Sequence, residues 1–520
     1  MTPPADLKDR QFDLRGAFEH RILVLDGATG TALQAFNLTP EDFGGVAFEG
    51  CNEILCRTRP DVVDQIHDTY LLAGADIIET NTFGATPLVL AEYGLEQESF
   101  ELNRLAAEIA RKACLRHTTP DRPRFVCGSM GPTTKAITVT GGVTFDELVE
   151  SFHIQASGLI TGGADYLVLE TCQDLLNTKA GLLGIEKALE TSGLQLPVAV
   201  TVTIETNGTM LGGQDAEAMV VSLAHSDLLY IGLNCATGPD LMREDLRTIS
   251  DLARTRVACI PNAGLPDEDG HYLLEPEDFS RILGEYLDQG WLNVVGGCCG
   301  TTPDHVAALA DLAKGRTPRR VPDHNRCMIS GLQAVELTDQ NRPLLVGERT
   351  NVLGSRIFKR LVADGDLDGA AEVGRAQVLK GAQVVDVCLQ DPEIDEKERM
   401  TAFLQRLNRR VRVPLMIDST DPDVMEEALK NCQGKAVLNS TNLEDGPQRF
   451  GHVAQLARRY GAAVIVGTID EKGMAVSLER KLEVARNSYR LLVEDHGLRP
   501  EDIWWDTLVF PCATGDQQYL

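Results

Sequence analysis

The chain has 520 residues, of which 43% are hydrophobic and 24% charged, with a formal net charge of -28. That length allows two or more domains, and the negative field argues against nucleic acid or an anionic membrane as the main partner. No apolar run approaches the roughly 20 residues that span a bilayer, and the opening MTPPADLKDRQFDLRG lacks the apolar stretch of a signal peptide.

From residue 21 to 302, short β-branched apolar runs alternate with glycine-rich turns and helical patterns. The runs are 21–31, 75–85, 124–132, 165–174, 197–205, 230–238, 257–264 and 293–302. Runs without polar alternation fit strands buried on both faces, hence a parallel sheet. Eight of them separated by helices predict a (β/α)8 TIM barrel, with a doubly wound open sheet as the competing fold. Residues 303–314 read as the closing helix, and GRTPRRVPDHNR, rich in proline and basic residues, opens a linker. The expected domains are 1–320, a linker at 321–344, and 345–520. The second domain repeats the pattern with six runs: 343–351, 382–391, 413–420, 435–441, 462–473 and 502–510. A closed barrel takes eight, so a second, incomplete TIM-type barrel, truncated at its C-terminal end, is expected.

In such barrels the active site lies at the C-terminal strand ends. The first domain places Asp26, Asn81, Glu170, Cys235, Asn262, Cys298 and Cys299 there. The 13 cysteines, an odd number spread over a long chain, suit a reducing, cytoplasmic setting. Most read as small buried apolar residues: Cys51, Cys56, Cys114, Cys127 and Cys432. Cys298 and Cys299 differ, being adjacent and flanked by glycines. Neighbouring side chains on a strand point to opposite faces, so Gly296, Gly297 and Gly300 must supply a bend for both to reach one ion. With Cys235 they form a soft thiolate trio suited to zinc. One tetrahedral position is left open, as in catalytic zinc sites. A substrate thiol placed there would ionise at neutral pH. DGATGT (26–31) matches no dinucleotide or phosphate-loop pattern; its amides could hold a carboxylate, while Asp26 and Glu170 could hold an ammonium.

DGATGT, ETNTFGAT (79–86), GSMGPT (128–133), LETCQD, GLNCATGP (232–239), PNAG (261–264) and GGCCGTTPDH (296–305) resemble the homocysteine S-methyltransferase family over about 300 residues. The resemblance implies zinc on Cys235, Cys298 and Cys299, with Asn262 as a displaceable oxygen ligand. It implies homocysteine with its amino group near Glu170 and Asp26 and its carboxylate on the amides of Gly27 and Ala28.

GERTNVLGSRIF (347–358), VVDV (384–387), MIDST (416–420), VLNST (437–441) and IDEKG (469–473) resemble pterin-binding methyltransferase domains. Asp418, Asn439 and Asp506 sit at strand ends, where a carboxylate can accept the paired donors of a pterin edge. The resemblance makes them the pterin anchors, seconded by Asp386, Asp470, Glu348 and Asn351. This order of domains is similar to that of cobalamin-dependent methionine synthases. There methyltetrahydrofolate methylates a corrinoid, which in turn methylates homocysteine. The chain departs from that pattern at Cys388, where asparagine is usual, and at Thr507-Leu508, where Pro-Asn is common. An asparagine near the methyl-bearing nitrogen should come from a later strand than the chain contains. No cobalamin-binding Asp-x-His-x-x-Gly pattern occurs, so the corrinoid is expected on another region or another protein. The competing readings are a homocysteine methyltransferase using betaine or another onium donor, and a non-catalytic zinc or folate binding protein.

Overall fold

The computed structural model describes residues 7–509. The first six residues of the opening segment, and Phe510 at the end of the sixth run of the second domain, lie outside the described residues. Two compact units are present: Met1–Ala216 with Asp227–Asp323, and Glu217–Ser226 with His324–Leu520.

The first unit is an eight-stranded parallel barrel. Its strands are β1 (Leu23–Val24), β2 (Ile77–Glu79), β3 (Phe125–Met130), β4 (Tyr166–Cys172), β5 (Val198–Val202), β6 (Leu228–Asn234), β7 (Arg256–Ile260) and β8 (Val294–Val295). Each pairs in parallel with its sequence neighbour, and β8 pairs with β1. A parallel bridge between Leu25 and Ile77 joins β1 to β2 and completes the circle. The expected (β/α)8 barrel is therefore present, and the open doubly wound sheet is not.

The interior is filled by side chains. Leu23, Ile77, Phe125, Cys127, Tyr166, Val168, Ala199, Tyr230, Ala258 and Val294 form one buried cluster. Phe18, from helix Leu7–His20, packs into the same cluster. Tyr166 and Tyr230 share a hydroxyl contact of 3.2 Å inside it. Such a packed interior makes the barrel a rigid frame and leaves chemistry to the loops at its mouth. Those loops are held by local sequence. After β8, Thr302 caps helix Pro303–Ala313, with His305 returning the cap. After β4, Asp174 accepts the Leu176 amide at the start of helix Leu175–Ser192.

The second unit contains six parallel strands in a curled sheet: β11 (Val346–Gly347), β12 (Val384–Val387), β13 (Leu415–Asp418), β14 (Val437–Leu443), β15 (Ala463–Asp470) and β17 (Ile503–Asp506). A short strand β16 (Gly473–Met474) turns back antiparallel on the end of β15. Among the described residues no pairing joins β11 to β17, so this barrel is incomplete, as expected. The segment 321–344, read as a linker, carries an antiparallel pair, β9 (Met328–Ser330) and β10 (Ala334–Glu336). Ile329 sits in the core of this unit with Val384, Met416, Val437 and Ala463, and Val335, Leu337 and Leu344 pack against them. Among the described residues no helix is long and apolar enough to cross a membrane.

Candidate functional site

In the first unit Cys235 follows β6, while Cys298 and Cys299 follow β8. Their sulfurs all lie within 4.8 Å of one another. The Cys235–Cys299 and Cys298–Cys299 separations are both 4.0 Å. Thiolates bound tetrahedrally at about 2.3 Å from one zinc stand about 3.8 Å apart, so the trio fits that ion. The backbone holds this shape tightly. The Cys298 amide donates to the Pro261 carbonyl at 2.8 Å, and the Ala263 amide to the Cys299 carbonyl at 2.9 Å. Cys235 and Ala236 stand at φ 59° and 55°, a left-handed conformation costly for non-glycine residues and concentrated at functional sites. Gly300 has φ 78°, and a Cβ there would lie 2.2 Å from the Tyr272 ring. Gly300 thus supplies left-handed backbone directly after the two adjacent cysteines, whereas Gly296 and Gly297 do not stand in that conformation.

The three thiols do not ionise together. Cys299 is held down to about 3 by hydrogen bonds from Cys235 and then Cys298. Cys298 is pushed up by the same two contacts. Cys235 gains from its bond with Cys298, yet its bond with Cys299 and burial push it up to about 11. One anion among three sulfurs is what repulsion permits, and a dication at the centre would reverse it. Asn262 is buried, its amide tied to the Thr237 carbonyl at 3.1 Å. Its Oδ1 is buried with no hydrogen-bond partner, an orphan that suits a displaceable ligand.

Beside the thiols three carboxylates meet. Asp26, at the end of β1, accepts the Glu79 amide at 3.0 Å through Oδ2, while its Oδ1 is buried without a partner. Glu170, on β4, accepts the Ser129 hydroxyl. Burial pushes Glu170 up to about 7 despite that bond, and the nearby Cys299 charge adds to the rise. Burial also pushes Asp26 and Glu79 well up, each further raised by the Glu170 charge. Thr171, next to Glu170, is itself left-handed at φ 54°. Asn234 clamps it, accepting its amide at 2.8 Å and donating to its hydroxyl at 2.7 Å. Asn234 immediately precedes Cys235, so this side chain ties the residue after Glu170 to the residue before Cys235. At Gly27 a Cβ would lie 2.8 Å from Tyr70, so only glycine fits. The Ala28 amide donates to Thr301 Oγ1 at 3.3 Å.

Sequence reasoning missed several of these residues. Glu79 lies inside the ETNTFGAT motif, but only strand pairing brings it to Asp26. Ser129 and the clamp Asn234 carried no chemical signal of their own. Tyr272, whose hydroxyl bonds Cys299, comes from a loop 27 positions before it.

In the second unit Asn351, Asp386, Asp418 and Asn439 gather at the strand ends. Asn351 donates to Asp386 at 3.3 Å and to Asp418 at 3.2 Å. Asp386 is pushed up to about 7 by burial and the Asp418 charge, against hydrogen bonds from Asn351 and Asn439. Its Oδ1 is buried and unpartnered. Asp418 is raised by burial and by the exposed Glu348, and Cys388 bonds to it. The contacts of Asp470 and Asp506 lie elsewhere. Asp470 pairs with Arg480 and accepts the Lys472 amide at 3.1 Å. Asp506 is exposed and accepts the Leu508 amide at 2.8 Å.

The homocysteine S-methyltransferase family model matches residues 23–313, and the pterin-binding enzyme model matches residues 347–520. Similar solved structures include the homocysteine methyltransferase MmuM from Escherichia coli. Its oxidized form is 24% identical with a TM-score of 0.46, covering 57% of this chain and 98% of that one. Its metallated form is 23% identical with a TM-score of 0.46, covering 58% and 99%. The first family model spans more than half of the 520 residues, and its span holds the thiol trio and the carboxylates together: the chain belongs to the homocysteine S-methyltransferase family.

Proposed function

We propose that this chain is a cytoplasmic methyltransferase that converts homocysteine to methionine in a zinc-bearing domain, 1–320. A linker, 321–344, leads to a folate-handling domain, 345–520. The observation that carries the reading is the first unit's mouth, where three thiols lie within 4.8 Å of one another and the Asp26 carboxylate has a buried oxygen without a hydrogen-bond partner among the described residues.

Cys235, Cys298 and Cys299 would hold zinc, with Asn262 Oδ1 as the ligand that substrate displaces. Zinc held there would lower the pKa of a thiol placed in its open position, making the sulfur a nucleophile at neutral pH. The chain's own residues set that sulfur in place. Asp26 and Glu170 take the ammonium, and the Gly27 and Ala28 amides take the carboxylate. Gripping both ends of the amino acid turns an encounter into a positioned reaction. The thiol gives its proton to solvent, and its sulfur forms a bond to the methyl carbon as the donor's bond to that carbon breaks, the electron pair leaving with the demethylated donor; the product is the thioether.

The methyl donor is a methylated corrinoid carried by another region or another protein, treated as a co-substrate. The second unit supports that choice over betaine or another onium, because it is similar to pterin-binding enzymes. Asp386 and Asp418 offer acceptors, one of them buried and unpartnered, to the donor edge of methyltetrahydrofolate. Asn351, Asn439 and Glu348 complete that pocket. Asp506 and Asp470 keep outer places, holding the turns after their strands.

The test supplies zinc-loaded protein and homocysteine with either methylcobalamin or betaine. Methionine should form with methylcobalamin and not with betaine. Turnover with betaine in the absence of any corrinoid would overturn the donor assignment.

A further inference from the structure

The end of the first barrel opposite the thiols holds an open cavity of about 580 Å³. Its wall carries Arg21, just before β1, Arg256, at the start of β7, and Arg316, Arg319 and Arg320, which follow helix Pro303–Ala313. Among the described residues Glu19 is the one acidic side chain in that wall. All of them belong to the first unit. The volume falls within the roughly 300–1,000 Å³ of small-molecule pockets. In a chain of net charge -28, five guanidiniums around one space are a local reversal of sign.

The carboxylates nearby do not match that charge. Asp76 pairs with Arg21 at 2.8 Å, but it is shared with Arg122 at 3.0 Å and Arg124 at 3.4 Å. Arg21 Nη2 is buried and has no partner among the described residues. Arg319 is buried and donates to the Thr255 and Ala253 carbonyls, both at 2.8 Å, and to Ser250 Oγ at 3.0 Å. Those acceptors satisfy its N–H groups without cancelling its charge. Arg256 lies 5.3 Å over the Phe18 ring. Among the described residues no carboxylate forms an ion pair with Arg256, Arg319 or Arg320. Glu19 and Asp251 reach Arg256 and Arg319 only as charges at a distance. Arg316 does have a carboxylate, that of Asp288. Like charges gathered round a partly desolvated space are costly until an anion joins them.

We propose that this cavity binds a polyvalent phosphoryl anion, either a free oligophosphate or the phosphate chain of a nucleotide. Guanidinium forks match phosphate oxygens in pairs. Guanidiniums spread over the cavity wall exceed what one carboxylate can touch, whereas an oligophosphate spreads its charge over several groups. Arg256 and Arg320 have donors to spare and make the direct contacts. Arg21 and Arg319, fixed by Asp76 and by the carbonyls, supply standing positive charge. The site lies at the N-terminal ends of the strands, so an anion held there leaves the thiols and Asp26 untouched.

The test titrates the full chain by calorimetry, as wild type, Arg256→Gln and Arg320→Glu. The buffer holds physiological salt, where the Debye length is about 8 Å and the distant acidic surface is screened. The probes are pyrophosphate, tripolyphosphate, ATP and citrate, all without divalent metal. Wild type should bind pyrophosphate and tripolyphosphate at one saturable site, at least about tenfold more tightly than citrate. Each variant should bind them at least about tenfold more weakly, the loss of a charge-assisted contact. Melting temperature without anion should stay that of wild type. ATP binding as tightly as tripolyphosphate identifies the chain of a nucleotide; ATP binding more weakly identifies a free oligophosphate. The proposal is overturned if wild type shows no saturable binding of either oligophosphate, or if citrate binds as tightly as they do. It is equally overturned if either variant, folded, binds them like wild type. Should Arg256→Gln not fold, Arg320→Glu, at an exposed position, carries the test.

Discussion

The two units place polar residues at the same ends of the same kind of strand, yet the two clusters are built for different partners. In the first, three thiols and three carboxylates crowd together with few donors, so nearly every group is short of positive charge. In the second, Asp386 and Asp418 already share the Asn351 amide at 3.3 and 3.2 Å. That arrangement suits a neutral ring edge with its own N–H groups better than a metal. The frame differs as well: the first sheet closes on itself, and the second runs from β11 to β17 without a closing pair among the described residues. Electron-rich groups left without donors mark a site for cations; the same groups interleaved with amides mark a site for a polar heterocycle.

The strongest way to break that contrast is to remove one sulfur. Cys298→Ala should lose zinc and all homocysteine methylation, while methyltetrahydrofolate binding in the second unit stays unchanged; metal analysis and a folate-binding titration check both halves. Full zinc stoichiometry in this variant would refute the ligand set. Next comes the ammonium partner. Glu170→Ala should weaken homocysteine binding by about 10- to 100-fold, the loss of one buried charge-assisted contact, with zinc content intact. In the second unit, Asp418→Ala should weaken methyltetrahydrofolate binding by about tenfold and leave homocysteine affinity alone.

A further effect concerns pH. The folded protein holds the Asp386 proton more tightly than the unfolded chain does, because its carboxyl is raised to about 7. Its stabilising contribution is therefore full below about pH 4, where both states are protonated, and is lost as pH climbs towards 7. Asp386→Asn should remove this slope. Denaturant titrations of both proteins across that range should show wild type losing stability relative to the variant as pH rises; parallel curves would contradict the assignment.

Much of this was legible in the sequence because barrel geometry is periodic. Eight apolar runs announced eight strands, and the residue after each run fell at the mouth, which is how Asp26, Glu170, Cys235 and the Cys298–Cys299 pair were found. Glu79 escaped because it ends a strand inside a run of polar residues, and only the pairing of β1 with β2 shows that its backbone amide meets Asp26. Tyr272 escaped because loop conformation, not period, carries it onto Gly300. The hairpin at β9 and β10 was hidden by strands of three residues in a proline-containing stretch. Asp470 carried the right chemistry at a strand end, but Arg480, ten positions on, supplies its partner.

The central claim is that the thiol trio holds zinc and accepts a substrate sulfur in place of the Asn262 oxygen. X-ray absorption at the zinc edge, with and without homocysteine, tests it most directly. Three sulfur ligands and one oxygen or nitrogen should become four sulfurs when homocysteine is added. An unchanged ligand set on saturation with homocysteine, or zinc bound without three sulfurs, would contradict the account.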